Sequence, residues 1–422
     1  MSDLNRRDFL KLAGAATALS LAGCATPSAA KARVVVIGGG FGGATTAKYI
    51  RMWDPAIDVV LVERNAMFTS CPMSNLVIGG NRRIDEIQRS YDGLRRRGVE
   101  VVTAEVTAVD TGKRAVTIAS GRELTYDRLV VSPGIDFMYG EIEGYESAFE
   151  TNRVVHAWKA GPQTIELRRQ LEQMNDGGVY LLSIPLAPYR CPPGPYERAC
   201  QVAHYFKTSK PRSKVLVFDA NQDITSKGPL FKRAWAELYK GIIDYHPQSK
   251  AIGVDGGTMT VKFEFESVKG NVLNVVPPQR AGDVAVKAGF VTHNNRWCDV
   301  DWMTCESKAA KNVHIVGDAT LSAPLMPKSG HIANSQAKVC ADAIVSLING
   351  RAPSATPVMN NTCYSYVSDK EVIHVASVHQ WDAAAKTIQP VKGAGGVSSA
   401  RNELEGDFAW SWAQNIWADT LG

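Results

Sequence analysis

Arg33-Val34-Val35-Val36-Ile37-Gly38-Gly39-Gly40-Phe41-Gly42-Gly43 is the stretch on which the fold turns. Its first five residues are β-branched and apolar apart from Arg33, the pattern of a strand buried on both faces. Gly38, Gly40 and Gly43 then follow in G-x-G-x-x-G spacing, and an alanine-rich stretch over 44–52 reads as a helix. Gly38 permits the tight turn, Gly40 lets backbone approach a pyrophosphate, and Gly43 lets helix and strand pack closely. The helix N-terminus supplies free N–H donors and a partial positive charge. Asp58-Val59-Val60-Leu61-Val62-Glu63 is the next strand, and Glu63 is placed to accept from a ribose hydroxyl. Strand, glycine loop, helix, strand and acid agree on a βαβ unit with a parallel sheet. The acid favours FAD or NAD over NADP.

FAD is separated from NAD further along the chain. Val313-His314-Ile315-Val316-Gly317-Asp318 returns to the strand pattern of the first domain, and a helix is predicted over 331–348. The Gly317-Asp318 element resembles the ribityl-binding segment of flavoproteins with two dinucleotide domains. That resemblance implies an Asp318 hydrogen bond to the ribityl chain. The helix beginning near Ser329-Gly330-His331 would point its N-terminus at the flavin pyrimidine, favouring the anionic reduced form.

Between these segments lies a second unit, with a helix over 163–174 and strands over 179–184 and 214–219. A pyridine-nucleotide site would need a second glycine loop after the strand over 179–184. The chain instead reads Pro185-Leu186-Ala187-Pro188-Tyr189-Arg190-Cys191-Pro192-Pro193. Prolines offer no N–H donors and bulky side chains hold a pyrophosphate away, so NAD(P)H is not expected as a substrate. The runs over 101–110 and 115–118 read as hairpin strands, and 127–131 as another apolar strand. The expected fold class is α/β: two Rossmann-like dinucleotide-binding domains, as in disulfide-reductase-like flavoproteins, and a small C-terminal α+β domain. The expected partition is a signal segment at 1–30, a FAD domain at 31–150 and 271–349, a second Rossmann-like domain without a nucleotide loop at 151–270, and a flavin-covering domain at 350–422.

A chain of 422 residues exceeds one ordinary core. Apolar residues at 45% and charged ones at 21% fit a soluble globular protein. The net charge of +5 is small and unclustered, which argues against nucleic acid as partner. Asn5-Arg6-Arg7-Asp8-Phe9-Leu10-Lys11 and the short apolar run after it read as a twin-arginine export signal. Such export carries folded, cofactor-loaded proteins, which places this chain in the periplasm. Leu21-Ala22-Gly23-Cys24 reads as a lipobox that would anchor Cys24; Ser28-Ala29-Ala30 offers ordinary cleavage instead. Outside the cytoplasm disulfides persist.

Setting Cys24 aside, seven of the eight cysteines remain, so at least one does something other than form an intramolecular disulfide. Cys191 stands in a proline-stiffened loop, Cys71 just after the first βαβ unit, and Cys363 at the start of the third domain; spacing alone pairs none of them. No Cys-x-x-Cys-His occurs, so no c-type haem is expected on this chain, and no His/Cys cluster has metal-site spacing.

Several segments together resemble the flavoprotein subunit of flavocytochrome c sulfide dehydrogenases over nearly the whole length past the signal. They are Ser74-Asn75-Leu76-Val77-Ile78-Gly79-Gly80, His156-Ala157-Trp158-Lys159-Ala160-Gly161, Arg190-Cys191-Pro192-Pro193-Gly194-Pro195-Tyr196-Glu197-Arg198, Pro277-Pro278-Gln279-Arg280-Ala281-Gly282, Met326-Pro327-Lys328-Ser329-Gly330 and Asn361-Thr362-Cys363-Tyr364-Ser365. The resemblance implies that Cys71 carries FAD through a thioether to the flavin 8α carbon. It implies a redox-active disulfide between Cys191 and Cys363 beside the flavin, and an indole, Trp412, near the isoalloxazine. The flanks of Cys71 depart from the family pattern: Thr69-Ser70 and Pro72-Met73 stand where the family has tyrosine-threonine and tyrosine-leucine. Cys200, Cys298, Cys305 and Cys340 read as structural thiols, with Cys298 and Cys305 near enough in sequence to pair.

The implied activity is oxidation of sulfide to sulfur or polysulfide, with electrons passed to a c-type cytochrome subunit. Hydrosulfide is a soft nucleophile that opens a disulfide to a persulfide and a thiolate. Lys328, Arg190 and Arg198 are candidates to stabilise that thiolate. Two rivals are a sulfide:quinone oxidoreductase, which the aromatic stretch Phe408 to Trp417 would suit if it lay on a membrane, and a non-catalytic flavin electron-transfer module.

Overall fold

A computed structural model describes residues 30–422. The twin-arginine segment and Cys24 lie outside the described residues.

The alternation of side chains along each strand builds the first domain. β1 (Ala32–Ile37), α1 (Phe41–Trp53) and β2 (Ile57–Glu63) form the predicted βαβ unit, with β1 parallel to β2 and Val36 opposite Leu61. β3 (Glu100–Thr103) pairs with β2, and β4 (Arg128–Val131) pairs with the other side of β1. Val34 and Val36 pack with Ala44, Leu61 and Ile344; Val35 and Ile37 pack on the opposite face with Val60, Leu129 and Ile315. Both faces of the strand are covered, so its sequence is a continuous apolar run.

The central domain contains α2 (Pro162–Gln173), β5 (Val179–Ile184), α3 (Gly194–Ser209), β6 (Lys214–Asp219), α4 (Gly228–Leu238), β7 (Ile243–His246) and β8 (Val272–Val275). Its parallel sheet runs β7-β6-β5-β8. The chain then returns through β9 (Val313–Ile315), which joins the first sheet to give the order β9-β4-β1-β2-β3. α5 (Gly330–Ile348) follows. The C-terminal part is an antiparallel sheet of β10 (Val358–Tyr366), β11 (Val372–Asp382) and β12 (Thr387–Val397), closed by α6 (Leu404–Leu421).

Two boundaries differ from expectation. β8 pairs in parallel with β5, Leu273 opposite Leu181, so the central domain reaches past residue 270. Val272 to Val275 is wholly buried, and an apolar run of four does not reveal which sheet will take it. The run over 101–110 is not one hairpin strand. It breaks near Ala104; β3 extends the parallel sheet, and only Val106–Asp110 enters an antiparallel hairpin.

The first sheet changes direction at β1, between β2 on one side and β4 on the other. Ligands in open α/β sheets bind outside the carboxyl ends of strands at such a point. Here those ends are Gly38 after β1, Ser132 after β4 and Gly317 after β9, with Ser132 N donating to Ile37 O at 2.8 Å.

Candidate active site

The glycines of the loop are there for different reasons. Gly38 has φ 94°, and a Cβ on it would lie 2.2 Å from Ser132 O. A Cβ on Gly43 would lie 1.9 Å from Gly38 O, so helix and strand need it bare. Gly40, at the N-cap of α1, would meet no protein atom within 4 Å. Its glycine is therefore not needed for internal packing; the space before it is what a ligand phosphate requires. Glu63 closes β2, and its Oε2 accepts from Gly39 N at 2.7 Å.

A cavity of about 650 Å³ opens from this loop, a size typical of cofactor sites at roughly 300–1,000 Å³. Gly38, Gly40, Glu63, Cys71, Cys191, Gly317, Asp318, Gly330, Cys363 and Trp412 all line it. Gly43 and the candidate cation Lys328 do not line it. Asp318 makes no side-chain hydrogen bond among the described residues, and burial raises its pKa against the pull of Arg190 and Lys328. Ser329 caps α5 by accepting from Ile332 N at 3.1 Å, and Gly330 lies against the Phe41 ring, which leaves no room for a Cβ. The N-termini of α1 and α5 thus flank one cavity that carries an unpartnered acid. This donor and acceptor set fits an extended flavin dinucleotide.

Two loops and a strand bring the cysteines in. Cys71 precedes the short helix Ser74–Gly79; its carbonyl accepts from Ser74 Oγ at 2.7 Å. Its Sγ lies 3.5 Å from Ala160 N, and Ser70 beside it accepts from Trp417 Nε1 at 2.9 Å. Cys191 has φ 59°, and its N–H donates to Lys328 O at 2.8 Å. A Cβ on Gly194 would come within 2.9 Å of its sulfur, so the turn into α3 depends on that glycine. Cys363 lies on β10, its Sγ 3.4 Å from Asn361 Oδ1. Burial raises the pKa of both thiols; at Cys191 the neighbouring Cys363 and Glu197 raise it further, while at Cys363 Lys227 opposes the rise. The seven described cysteines are free thiols.

The three candidate cations have separate work. The Arg190 guanidinium donates to Trp158 O; burial alone would lower its pKa, but Cys71, Asp318 and Cys191 together hold it up. Lys328 donates to the carbonyls of Asp318 and Thr320 and lies 3.8 Å from the Trp297 ring centre. Arg198 is fully engaged with backbone and amide oxygens in the wall. Two neighbours were not singled out from sequence. Glu197 is buried, its carboxylate accepting from Asn75 Nδ2 at 2.8 Å and Tyr366 N at 2.9 Å. Lys227 reaches Cys363 from another domain. Glu197 sits within the quoted segment 190–198, which could have flagged it; nothing around Lys227 in the sequence does.

Cys298 and Cys305 pack their side chains into different clusters. Cys298 packs on the face of the first sheet that carries Val35 and Leu129, and Cys305 on the face that carries Val34 and Val130, where its sulfur neighbours Cys340. The C-terminal tryptophans are used internally: Arg82 stacks on Trp410 at 4.4 Å, Arg89 on Trp417 at 4.2 Å, and Trp412 faces the cavity. No helix among the described residues is long and apolar enough to cross a membrane.

Comparison with known proteins follows the same division of the chain. Residues 32–165 match the pyridine nucleotide-disulphide oxidoreductase family. Residues 164–277 match the central region of the sulfide dehydrogenase [flavocytochrome c] flavoprotein chain, and 355–421 the flavin-binding region of flavocytochrome c sulphide dehydrogenase. Residues 3–23 match the twin-arginine translocation signal sequence, which marks the chain for export. The sulfide dehydrogenase flavoprotein chain of Chlorobaculum thiosulfatiphilum is 64% identical over 45 residues, 11% of this chain and 94% of that sequence. The mitochondrial sulfide:quinone oxidoreductase of Mus musculus is 26% identical over 301 residues, 68% of this chain; the chain spans 65% of that relative's length. The solved sulfide:quinone oxidoreductase of Aquifex aeolicus superposes with a TM-score of 0.75 at 18% identity, covering 92% of this chain and 91% of that one. With matches to both specific regions and to a sulfide dehydrogenase flavoprotein chain, the chain belongs to the family of flavocytochrome c sulfide dehydrogenase flavoprotein chains.

Proposed function

We propose that this chain is a periplasmic FAD-dependent sulfide dehydrogenase subunit that oxidises sulfide to sulfur or polysulfide and passes the electrons to a c-type cytochrome partner. The observation that carries this reading is the meeting of Cys71, Cys191 and Cys363 on the cavity that also holds the glycine loop and Asp318. In the oxidised protein Cys191 and Cys363 are joined as a disulfide. The glycine loop and the N-terminus of α1 hold the pyrophosphate, Glu63 the ribose, Asp318 the ribityl chain, and Cys71 the ring system through a thioether. When bound, the flavin supplies a two-electron acceptor that can release its electrons singly, which suits a one-electron haem acceptor.

The protein's own residues do the sulfur chemistry. Hydrosulfide forms a bond to one cysteine sulfur as the Cys191–Cys363 bond breaks, leaving a persulfide on one cysteine and a thiolate on the other. The Arg190 guanidinium lies beside Cys191 and Cys71 and favours negative charge there. Trp158, whose Nε1 donates to Arg190 O at 3.2 Å, keeps that loop in place. The internal use of the C-terminal tryptophans favours a protein acceptor over membrane quinone. Cys24, if lipidated, would tether the subunit to the membrane surface.

The test is stopped-flow bleaching of bound flavin by sulfide, followed by turnover with cytochrome c or a soluble quinone as acceptor. Cys191→Ser and Cys363→Ser should keep flavin and accept electrons from dithionite, yet lose bleaching by sulfide. Near wild-type bleaching in a flavin-loaded variant would refute the disulfide route, and turnover with quinone but not cytochrome c would refute the acceptor.

A further inference from the structure

Lys227 stands at the N-cap of α4 with φ 58°. Its side chain leaves the central domain and ends against the C-terminal sheet. Nζ donates to Cys363 O at 3.0 Å, to Ser365 Oγ at 2.8 Å and to Ile373 O at 3.2 Å. The three donors of the ammonium thus have three neutral acceptors, and the residue is only 8% exposed. Burying an ammonium without a carboxylate in contact is costly and needs a compensating role. The groups that can turn negative around it are few: Cys363 on β10, Glu197 on α3, Cys191 in the loop before α3, and Glu405 on α6. Its own helix offers the Phe231 ring, 5.7 Å away, and β11 offers only the Ile373 carbonyl.

We propose that Lys227 is the positioning residue that makes Cys363 the departing sulfur when the disulfide with Cys191 is opened. This rests on the sulfide-oxidising reading above. In that step the electron pair of hydrosulfide forms the new bond to Cys191, the old S–S bond breaks, and its pair leaves on Cys363. The hydrosulfide proton stays on the persulfide, so the step needs no other reactant. A disulfide opens toward the thiolate that is better stabilised. Cys363 has the Lys227 ammonium as its leading counter-charge, ahead of the opposing Glu197 carboxyl. At Cys191 the Glu197 carboxyl outweighs the pull of either Arg190 or Lys227. Hydrogen bonds to Cys363 O and Ser365 Oγ also lock the strand that presents this sulfur. Burial lowers the pKa of Lys227 to about 8, and the surrounding thiols and carboxyls resist that fall. The ammonium is present at neutral pH and is lost as pH rises through that value. The bias toward Cys363 should fade over the same range.

The test reads the two thiols directly. Fully reduced, flavin-loaded protein is alkylated with iodoacetamide at neutral pH, and each cysteine is quantified by mass spectrometry. Because the thiolate is the nucleophile, Cys363 should react on the order of tenfold faster than Cys191 in the wild type. Lys227→Met should lower that ratio on the order of tenfold, and Lys227→Arg should restore it, which a purely structural role would not require. Equal or reversed rates in the wild type overturn the proposal, as does a folded Lys227→Met with the wild-type ratio. If Lys227→Met does not retain flavin, the wild-type ratio across the alkaline range decides alone: a decline above about pH 8 supports the proposal and a flat ratio overturns it. Alkylation needs no sulfide turnover, so failure of sulfide to bleach the flavin would remove the proposed activity while leaving this ratio readable.

Discussion

Arg198 should behave as a structural knot and not as a thiolate stabiliser. Its guanidinium is buried and donates to four oxygens: Asn75 Oδ1 at 3.0 Å, His156 O at 2.7 Å, Asn274 Oδ1 at 2.9 Å and Ala157 O at 2.6 Å. It also lies 4.8 Å from the Trp158 ring centre. Replacement by methionine keeps much of the volume and removes every donor. Two acceptors would keep another partner: His156 O accepts from Asn274 Nδ2 at 2.8 Å, and Asn274 Oδ1 from Tyr180 OH at 2.7 Å. Asn75 Oδ1 and Ala157 O would be left without one. Each buried orphan costs roughly 1–3 kcal/mol, and relief from burying the charge, which already lowers the pKa of Arg198, offsets part of this. The expected loss for Arg198→Met is about 3 kcal/mol. Equilibrium urea unfolding of the flavin-loaded protein should show a midpoint lower by on the order of 1 M, taking a slope of about 3 kcal/mol/M. Arg198→Lys should recover little, since one ammonium cannot span four acceptors. A methionine variant that unfolds at the wild-type midpoint but loses sulfide-driven bleaching would refute this reasoning and return Arg198 to the thiolate.

Three further outcomes are expected. Acid precipitation should leave wild-type protein yellow, and Cys71→Ser should release flavin into the supernatant; complete loss from the wild type would remove the thioether while leaving FAD in place. NADH and NADPH should not bleach the flavin, because the loop after β5 carries Cys191 and prolines where a pyrophosphate would need glycines and N–H donors; rapid bleaching at micromolar concentration would contradict this. His314 is fully buried between Thr304 O and Arg128, and burial lowers its pKa from 6.5 to about 4. The unfolded chain therefore takes up this proton first, so stability should fall as pH drops from about 6.5 to 4, by up to about 1.4 kcal/mol per unit from this group. His314→Gln should flatten that part of the unfolding-midpoint profile, and an unchanged slope would show that other groups set it.

The sequence by itself determined what is local. A β-branched run, three spaced glycines and an acid at the next strand's end are enough for the βαβ unit, because buried parallel strands demand unbroken apolar runs and phosphate-binding turns demand missing Cβ atoms. The strand leading into Gly317, whose φ is 81°, was legible for the same reason. The likeness to a known family, carried by short segments such as Arg190 to Arg198, pointed to Cys71, Cys191 and Cys363. Spacing could not pair them, since they come from three separate loops and strands. Only the tertiary structure decided that they share a cavity, that β8 belongs to the central sheet, and that Cys305 neighbours Cys340 and not Cys298. It also decided what each buried cation contacts. Arg198 and Lys328 are engaged with oxygens of the wall, and Lys227, with no motif around it, crosses from α4 to oxygens on and beside the strand of Cys363. Turn chemistry and hydrophobic period are written in neighbouring residues; the partner of a buried charge is chosen by how distant elements pack, and no short stretch of sequence contains that choice.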